Sequence, residues 1–293
     1  MKIGIQRKIL SVLLMLICGL LVAFNTLKTA PIEVNLKDAI AQNLIKASFN
    51  SNGNFNGLSV HFEILNTSKS SLSIIVPAGT TFVPENDEEQ TLIVLENEVI
   101  AIAPHAKIDE VLDGYCINLS KHCPTESKPF KLSETKNENF KKLFSFVGSK
   151  KINPLISQSV AWAISDNQPV SSIEGDDSAT KELKKFMFGL LNQKETWYTS
   201  SPNYAVTPQR TIAVSTVAIS GYLDFTLTKN AVVHQEVTNS EGKIMMRTTK
   251  DFSLGKGNVK SKFSLKVTGW QKGKYFVKIK DAVSVYATFE FNV

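Results

Sequence analysis

Two cysteines are the residues of this chain whose chemistry depends most clearly on their spacing. Cys116 and Cys123 lie in the segment GYCINLSKHCP, with six residues between them. A turn within such a short segment can bring two thiols within bonding distance. A third cysteine, Cys18, lies in an N-terminal segment that we expect to be removed, so an even number remains. We therefore expect a disulfide between Cys116 and Cys123 in an oxidising compartment.

Three aromatic residues form a second candidate site. Trp197, Tyr198 and Tyr204 fall within TWYTSSPNYAVTPQ, a segment with two prolines and no hydrophobic periodicity. Aromatic rings of this kind can stack on a sugar ring, and the three residues are our candidates for a ligand-stacking surface. The alternative is that they seal the junction between two domains.

The histidines and acidic residues of the sequence do not have the spacing of a known type of metal site. No two of the four histidines have the H-x-x-x-H spacing of a zinc site. The segment PENDEEQ, at 84–90, holds four carboxylates but lacks the D-x-D-x-D-G pattern of a calcium loop, so we interpret it as a solvated turn. We expect no metal and no cofactor. The histidines are His61, His105, His122 and His234.

Motifs of common enzyme classes are absent from the sequence, which has no G-x-S-x-G, P-loop or dinucleotide-binding glycine pattern. A carbohydrate-active hydrolase would need two carboxylates about 5–10 Å apart in a cleft. The sequence nominates no such pair, so we expect a protein that is not an enzyme. A cleft lined with acids would instead favour the enzyme.

The N-terminal residues have the pattern of a secretory signal peptide. Met1–Lys8 carries three positive charges, and Ile9–Phe24 is an apolar run of sixteen residues. That run is short for a membrane span, which needs about 20 residues. We assign residues 1–30 to a signal peptide, or to an uncleaved anchor that would be the only membrane contact. The protein is then expected outside the cytoplasm, in the periplasm, associated with the outer membrane, or secreted.

Positive charge is concentrated in the C-terminal part of the chain. The sequence has 33 Lys and Arg against 27 Asp and Glu, for a net charge of +6, while residues 213–293 hold 12 against 6. Lysines alternate with apolar residues there, which is typical of strands with one solvated face. We therefore expect no nucleic-acid partner.

Residues 31–195 are predicted to form a β-sandwich with added helices. A helix is expected at 36–47, where Leu36, Ile40 and Leu44 share one face. Alternation and turn signals then predict short strands. These are 58–64, 72–76, 91–95, 99–103 and 111–119.

Helical periodicity returns between residues 134 and 193. Phe140, Leu143, Phe144 and Val147 share one face of a first amphipathic helix. A second helix is predicted at 155–164, with Pro154 at its first turn. A third is predicted to begin at the candidate caps Asp176, Asp177 and Ser178 and to place Leu183, Phe186, Met187, Leu190 and Leu191 on one face.

Residues 196–212 are predicted to be a linker, and 213–293 a second β domain. Alternating residues and glycine-rich turns predict seven strands, the number in an immunoglobulin-like sandwich. They are 212–219, 222–227, 232–237, 243–248, 259–268, 273–280 and 283–291.

The C-terminal strands resemble a known family of domains. The segment from Val237 to Lys280 is similar to the C-terminal immunoglobulin-like sorting domains of type IX secretion cargo. This resemblance implies a role in export, and we extend it to residues 213–293. The matching positions are Asn239, Gly242, Lys243, Leu254, Gly257, Phe263, Leu265, Gly273, Tyr275, Phe276, Val277 and Ile279.

A second resemblance concerns Cys116. The tripeptide Tyr115-Cys116-Ile117, followed by SQSVAW at 157–162, is similar to the paired Y-C-I and T-Q-x-A-I-W motifs of bacterial thioester domains. The resemblance implies an internal thioester between Cys116 and Gln158, which would capture surface amines as a covalent adhesin. The alternative is that Cys116 pairs with Cys123, while Gln158 lines a helix and Trp162 fills the core.

Together these observations predict a mainly β protein of two sandwich domains, exported and binding rather than catalytic. Its partner would be an envelope or surface protein, or a polysaccharide. A thioester-type covalent adhesin and a carbohydrate-active enzyme are the alternatives.

Overall fold

The fold is that of a computed structural model, which describes residues 30–148 and 151–293. The signal peptide or anchor expected at residues 1–30 lies, except for Ala30, outside the described residues. Within the two described ranges, no helix is long and apolar enough to span a bilayer.

The described chain is mainly β, as the sequence predicts, with several sheets and a few helices. This composition is consistent with a fold of the β-sandwich type. The helices are α1 (Leu36–Ala41), α2 (Glu138–Val147), α3 (Pro154–Ser165) and α4 (Ser178–Leu190), with a 3₁₀ turn at Val170–Ser172. The strands before α2 are β1 (Ile32–Asn35), β2 (Ile45–Ser51), β3 (Leu58–Asn66), β4 (Leu72–Val76), β5 (Thr80–Pro84), β6 (Thr91–Ile93), β7 (Glu98–Ile102), β8 (Lys107–Asp113), β9 (Tyr115–Ile117) and β10 (Phe130–Glu134). The strands after α4 are β11 (Tyr198–Val206), β12 (Ile212–Leu227), β13 (Ala231–Asn239), β14 (Ile244–Arg247), β15 (Phe252–Leu254), β16 (Gly257–Lys266), β17 (Lys274–Lys280) and β18 (Val285–Asn292).

The chain divides into two compact units. The described part of the smaller unit comprises residues 30–46, 64–75 and 99–108, and the larger comprises the other described residues. In the smaller unit, β1 and β4 pair in parallel, with Ile32 opposite Leu72. The buried Asn66 stabilises this unit, because its amide donates to the carbonyls of Ser70 at 2.8 Å and Ala103 at 2.9 Å.

The first helix is shorter than predicted. The sequence predicts a helix at 36–47, but α1 ends at Ala41 and β2 begins at Ile45. Asn43 takes a left-handed conformation, with φ of 55°, and the Leu44 N–H donates to the Ala39 carbonyl at 2.9 Å. Asparagine tolerates this conformation and commonly ends helices. The apolar periodicity therefore continues past the true end of the helix.

The larger unit contains the sheet β10-β5-β6-β9, in which β9 is an edge strand. The strand predicted at 111–119 is divided at Gly114 into β8 and β9. A Cβ at Gly114 would lie 3.1 Å from Val60 Cγ2 and 3.4 Å from Leu92 Cβ. Only glycine fits this close approach without a shift of its neighbours.

The three helices predicted between 134 and 193 are confirmed. Asn153 caps α3 by accepting from the Leu155 N–H, and Pro154 occupies its first turn. Asp177 caps α4 by accepting from the Thr180 N–H at 2.9 Å. The apolar faces of these helices share a common core with strands β6 and β9 of the β10-β5-β6-β9 sheet. That core includes Ile93 and Tyr115 from the sheet, Leu95 from the segment after β6, and Phe140, Leu143, Val160, Ala161, Leu183 and Met187 from the helices.

The C-terminal part of the larger unit has two facing sheets, β11-β12-β16 and a second sheet built on β13, β14, β15, β17 and β18. Seven strands follow residue 211, which is the predicted number, but their bounds differ. β12 is continuous where two strands were predicted, and β15 was not predicted. The core between the sheets contains Ile219, Leu223, Val237, Phe263, Val277 and Phe291.

The predicted linker is not a loop. Residues 198–206 form β11, which pairs antiparallel with β12. The register shifts between Ser201 and Pro202, and such a bulge breaks the alternation of inward and outward side chains. The segment therefore shows no period of two in the sequence, although it is a strand.

We predict that the C-terminal sandwich needs β11. Trp197 packs edge-on against Phe263 and Phe289, and Tyr198 is buried in the same core. A fragment of residues 213–293 should have a free energy of unfolding lower by about 3 kcal/mol or more than a fragment of residues 196–293, because it lacks these two aromatic side chains. Urea denaturation measures the difference.

The control for this comparison is Tyr204→Ala in the longer fragment. The Tyr204 ring packs on Trp162 rather than in the C-terminal core, so this change should leave the midpoint almost unaltered. Equal stability of the two fragments would contradict the role of β11.

Asp281 should make the stability of the C-terminal sandwich depend on acid. Its carboxylate accepts hydrogen bonds from the Tyr286 hydroxyl, the Ser284 N–H and the Val283 N–H, and these lower its pKa from 3.8 to about 2. A carboxylate with a lowered folded-state pKa stabilises the fold above its ordinary pKa and loses that contribution as the pH falls through the folded value. Between pH 6 and about 2, the protein should therefore lose more thermal stability than Asp281→Asn does. Melting curves for both, with the exposed Asp224→Asn as control, test this.

Candidate functional site

Cys116 lies at the middle of β9, opposite Leu92 of β6. Its side chain is fully buried. Because β9 ends its sheet, the side of the strand away from β6 has no strand partner within that sheet. Backbone N–H and C=O groups that are buried in this way need partners from elsewhere.

Gln158 of α3 supplies those partners. Its Oε1 accepts from the Cys116 N–H at 3.1 Å, and its Nε2 donates to the Cys116 carbonyl at 2.8 Å. Gln158 is only 4% exposed, and the whole stretch of α3 from Ile156 to Ile164 is buried. The carbon atom Cδ is bonded to both contacting atoms, so it is held directly beside the main chain of Cys116. We call this arrangement the Cys116–Gln158 site.

Residues 52–57 cover the same edge of β9. The Phe55 carbonyl also accepts from the Cys116 N–H, at 2.9 Å, and the Gly57 carbonyl accepts from the Gly114 N–H at 2.7 Å. The Phe55 ring stacks on Trp162, with centroids 5.9 Å apart and planes 9° apart. A loop segment, a helix and an edge strand therefore close over the site together.

A second aromatic contact closes the site from β11. The Tyr204 ring meets Trp162 edge-on at 4.8 Å, and its hydroxyl lies 2.7 Å from the Ser159 hydroxyl. Burial raises the pKa of Tyr204, so its phenol stays protonated at neutral pH. The indole Nε1 of Trp162 has no hydrogen-bond partner among the described residues.

The Cys116 thiol is held neutral. Burial raises its pKa well above the ordinary value, and Cys123 and Asp166 raise it further. Burial also raises the pKa of the neighbouring Tyr115, to about 12. At neutral pH, neither the Cys116 thiol nor the Tyr115 phenol therefore carries a charge.

The predicted disulfide is wrong, because Cys116 and Cys123 are both free thiols. The segment around Cys123 is fixed to other elements. The Cys123 N–H donates to the Arg210 carbonyl at 2.7 Å, and the Arg210 guanidinium donates to the carbonyls of Cys123 and Pro124. Short spacing alone did not bring the two thiols together, since each is positioned by a different part of the fold.

The three aromatic residues of the predicted stacking surface do not form one face. Tyr198 is buried, and its hydroxyl accepts from the Asn292 N–H at 3.0 Å. Trp197 donates from its indole to the Glu290 carbonyl at 2.6 Å. Tyr204 packs at the Cys116–Gln158 site instead. All three therefore make internal contacts, which accords with the alternative of a packing role.

The histidines and the acidic segment make ordinary polar contacts. His61 Nε2 lies 2.6 Å from Asp109, and His122 Nδ1 lies 2.6 Å from the Gln209 carbonyl. Glu89, in the acidic segment, accepts from the Thr125 N–H at 3.1 Å. In the described ranges, no group of three or more His, Cys, Asp or Glu side chains is placed to hold a metal ion.

A cavity of about 320 Å³ was not predicted from the sequence. Its walls are largely apolar and include Val94, Leu95, Phe146, Ile152, Ile156 and Leu183. Its charged residues are Glu96, Glu98, Asp113, Lys151, Asp177 and Glu182. They come from loops, strands and helices far apart in sequence, so no local pattern could have revealed them.

Glu96 is the carboxylate of this cavity whose pKa is raised by burial. Burial is the largest cause of the raised pKa, and the negative charges of Glu98 and Asp113 raise the pKa further. A hydrogen bond from the Ile152 N–H at 2.6 Å and the positive charge of Lys151 lower it in part.

Phe55 was also missed as a site residue, although the sequence contained a signal. It is the single aromatic residue within the turn-forming run NSNGNFNG. A large apolar side chain in such a run indicates a loop that packs against the protein.

Comparison with known proteins adds no assignment, because no protein-family model and no curated protein sequence matches the chain.

We predict that the hydroxyls of Tyr204 and Ser159 stabilise the packing of β11 on α3. Both Tyr204→Phe and Ser159→Ala should destabilise the protein, and a double-mutant cycle should give a coupling of about 1 kcal/mol, the usual value of one hydrogen bond. Denaturant midpoints of the four proteins measure it. Additive effects of the two changes would show that the contact contributes nothing.

Proposed function

We propose that this protein is a binding module that attaches covalently to amine-bearing partners through a thioester between Cys116 and Gln158. The observation that carries the proposal is the pair of hydrogen bonds between the Gln158 carboxamide and the Cys116 main chain. These bonds hold the electrophilic carbon beside the residue that bears the thiol. The likeness of the two segments to thioester-domain motifs supports the same pairing.

The chemistry balances without a cofactor or an oxidant. The Cys116 sulfur attacks Cδ of Gln158, the C–N bond breaks, and the thiol proton leaves with the nitrogen as ammonia. In the capture step, a primary amine attacks the same carbon and the C–S bond breaks. The sulfur takes a proton, which leaves an amide on Gln158 and a free thiol on Cys116.

Burial serves this chemistry in two ways. A thioester survives only where water is excluded, and both residues are almost completely buried. Phe55, Trp162 and Tyr204 surround the site with aromatic surface. The raised pKa of the thiol has no further effect once the sulfur is acylated, because it then carries no proton.

Intact-mass measurement of the purified protein tests this proposal. The protein should be about 17 Da lighter than its sequence requires, because forming the bond releases ammonia. Methylamine should replace the deficit with an adduct at Gln158. Cys116→Ala and Gln158→Glu should both have their full masses and form no adduct, while Cys123→Ser should behave as the unaltered protein does.

Two results would overturn the proposal. A full mass in freshly purified protein, together with a Cys116 thiol that is alkylated after unfolding, would show that no thioester forms. A methylamine adduct that persists in Gln158→Glu would show that the reactive group lies elsewhere. In either case the protein would remain a candidate for noncovalent binding to a surface protein or polysaccharide.

We further propose that this binding takes place outside the cytoplasm, at the cell envelope or surface. The basic and then apolar N-terminal sequence supports export. The likeness of the C-terminal strands to sorting domains of type IX cargo supports a role of this domain in export. A location on the cell surface would bring the protein, and with it the proposed thioester, near amines of other cells or polymers.

The cavity is lined by acids, and an acid-lined cleft was our criterion for a carbohydrate-active enzyme. We do not assign hydrolysis to it, because five carboxylates against one lysine favour a cation over a neutral sugar.

A further inference from the structure

The geometry points to the acid-lined cavity as a binding site for a small amphipathic ammonium compound. We call it the acidic cavity. Its volume of about 320 Å³ is within the range of small-ligand sites, at the lower end. The described residues that line it come from β-strand, loop and helix segments of the larger unit alone.

The walls of the acidic cavity fit an apolar ligand body. Val94, Leu95, Ile152 and Ile156 are all buried and line it. Contact with such walls favours a hydrocarbon or aromatic group by about 25 cal/mol for each Å² removed from water. A polar sugar or a hydrated metal ion would gain nothing from these residues.

The charges select a cation. Glu98 and Asp113 are both half-buried on the lining, and Lys151 is the single positive residue there among those described. Partial burial weakens screening by water, so the attraction of these carboxylates for an ammonium group is stronger than at an open surface. Glu96 already accepts from the Ile152 N–H, Asp177 already caps α4, and Glu182 is exposed. Glu98 and Asp113 are therefore the carboxylates that we expect to contact the ligand.

An exposed aromatic pair lies at the acidic cavity. Phe146 lines it and is 39% exposed, and its ring stacks on Phe186 with centroids 4.1 Å apart and planes 7° apart. An exposed phenylalanine is a poor surface residue, but its ring face attracts ammonium groups. It also offers a stacking surface for an aromatic ligand.

The acidic cavity is separate from the Cys116–Gln158 site. Tyr115 lines the cavity, and Cys116 is the next residue of β9. Successive side chains of a strand point to opposite faces, so the cavity and the thiol lie on opposite faces of the sheet. The inference therefore does not depend on the thioester.

Calorimetric titration with N,N-dimethylphenethylamine tests the inference. This tertiary amine is protonated at neutral pH, but its free base has no N–H hydrogen to lose on acylation, so it cannot form a stable amide with Gln158. We expect saturable binding with one site per chain, and binding at least about tenfold weaker for 3-phenylpropan-1-ol, a neutral molecule of similar size. Glu98→Gln and Asp113→Asn should each weaken binding of the amine by about tenfold. Glu126→Gln, an exposed carboxylate outside the cavity, should not.

Thermal unfolding of each variant shows whether it remains folded. Phe146→Ala removes an aromatic ring from the cavity without changing its charge, and it should also weaken binding of the amine. Equal binding of the amine and the alcohol, or unchanged binding in both carboxylate variants and Phe146→Ala, would overturn the inference. So would hydrolysis of a chromogenic glycoside that is lost in Glu96→Gln, because the cavity would then be the active site of a carbohydrate-active enzyme.

Discussion

The outer edge of strand β9 is the constraint on which the centre of the larger unit depends. An edge strand that is buried leaves main-chain donors and acceptors without water, and each unpaired group costs about 1–3 kcal/mol. Here a side-chain carboxamide takes the place of the missing strand. Gln158 both donates to and accepts from Cys116, as a neighbouring residue in a ladder would. Helix α3, residues 52–57 and the Phe55–Trp162 stack all meet at this edge.

The same closure determines what chemistry Cys116 can perform. Its thiol is deeply buried and held neutral, so it is a poor site for metal binding, oxidation or general nucleophilic catalysis, all of which need an accessible thiolate. The proposed thioester needs no access from solvent to form, because the Gln158 carboxamide already contacts the main chain of Cys116. In the proposed reaction, the side chain that supports the edge strand would also supply the electrophilic carbon.

Local patterns predicted the parts of the fold that local patterns control. The apolar face of α2, the first-turn proline of α3 and the cap and apolar face of α4 could be predicted from the sequence, and so could most of the strands. What failed was set by tertiary contacts. The left-handed conformation of Asn43 ends α1, although the helical pattern of apolar residues continues beyond it. The bulge at Ser201 removes the alternating pattern by which β11 could have been predicted. The disulfide between Cys116 and Cys123 was predicted from their spacing, their even number and an oxidising compartment, whereas both residues are positioned by distant partners. The link to Gln158 was found only through the resemblance of two short motifs.

The hairpin of β11 and β12 has a consequence for how the protein would transmit force. Its tip is fixed beside Cys123 by Arg210, and β12 continues from there into the C-terminal sandwich, where its far end pairs with β16. Nine residue pairs join β11 to β12. A slack linker would extend under tension before either part felt a load. Here the load would pass at once into the hydrogen bonds between β11 and β12. A tethered protein would therefore resist extension as a stiff element.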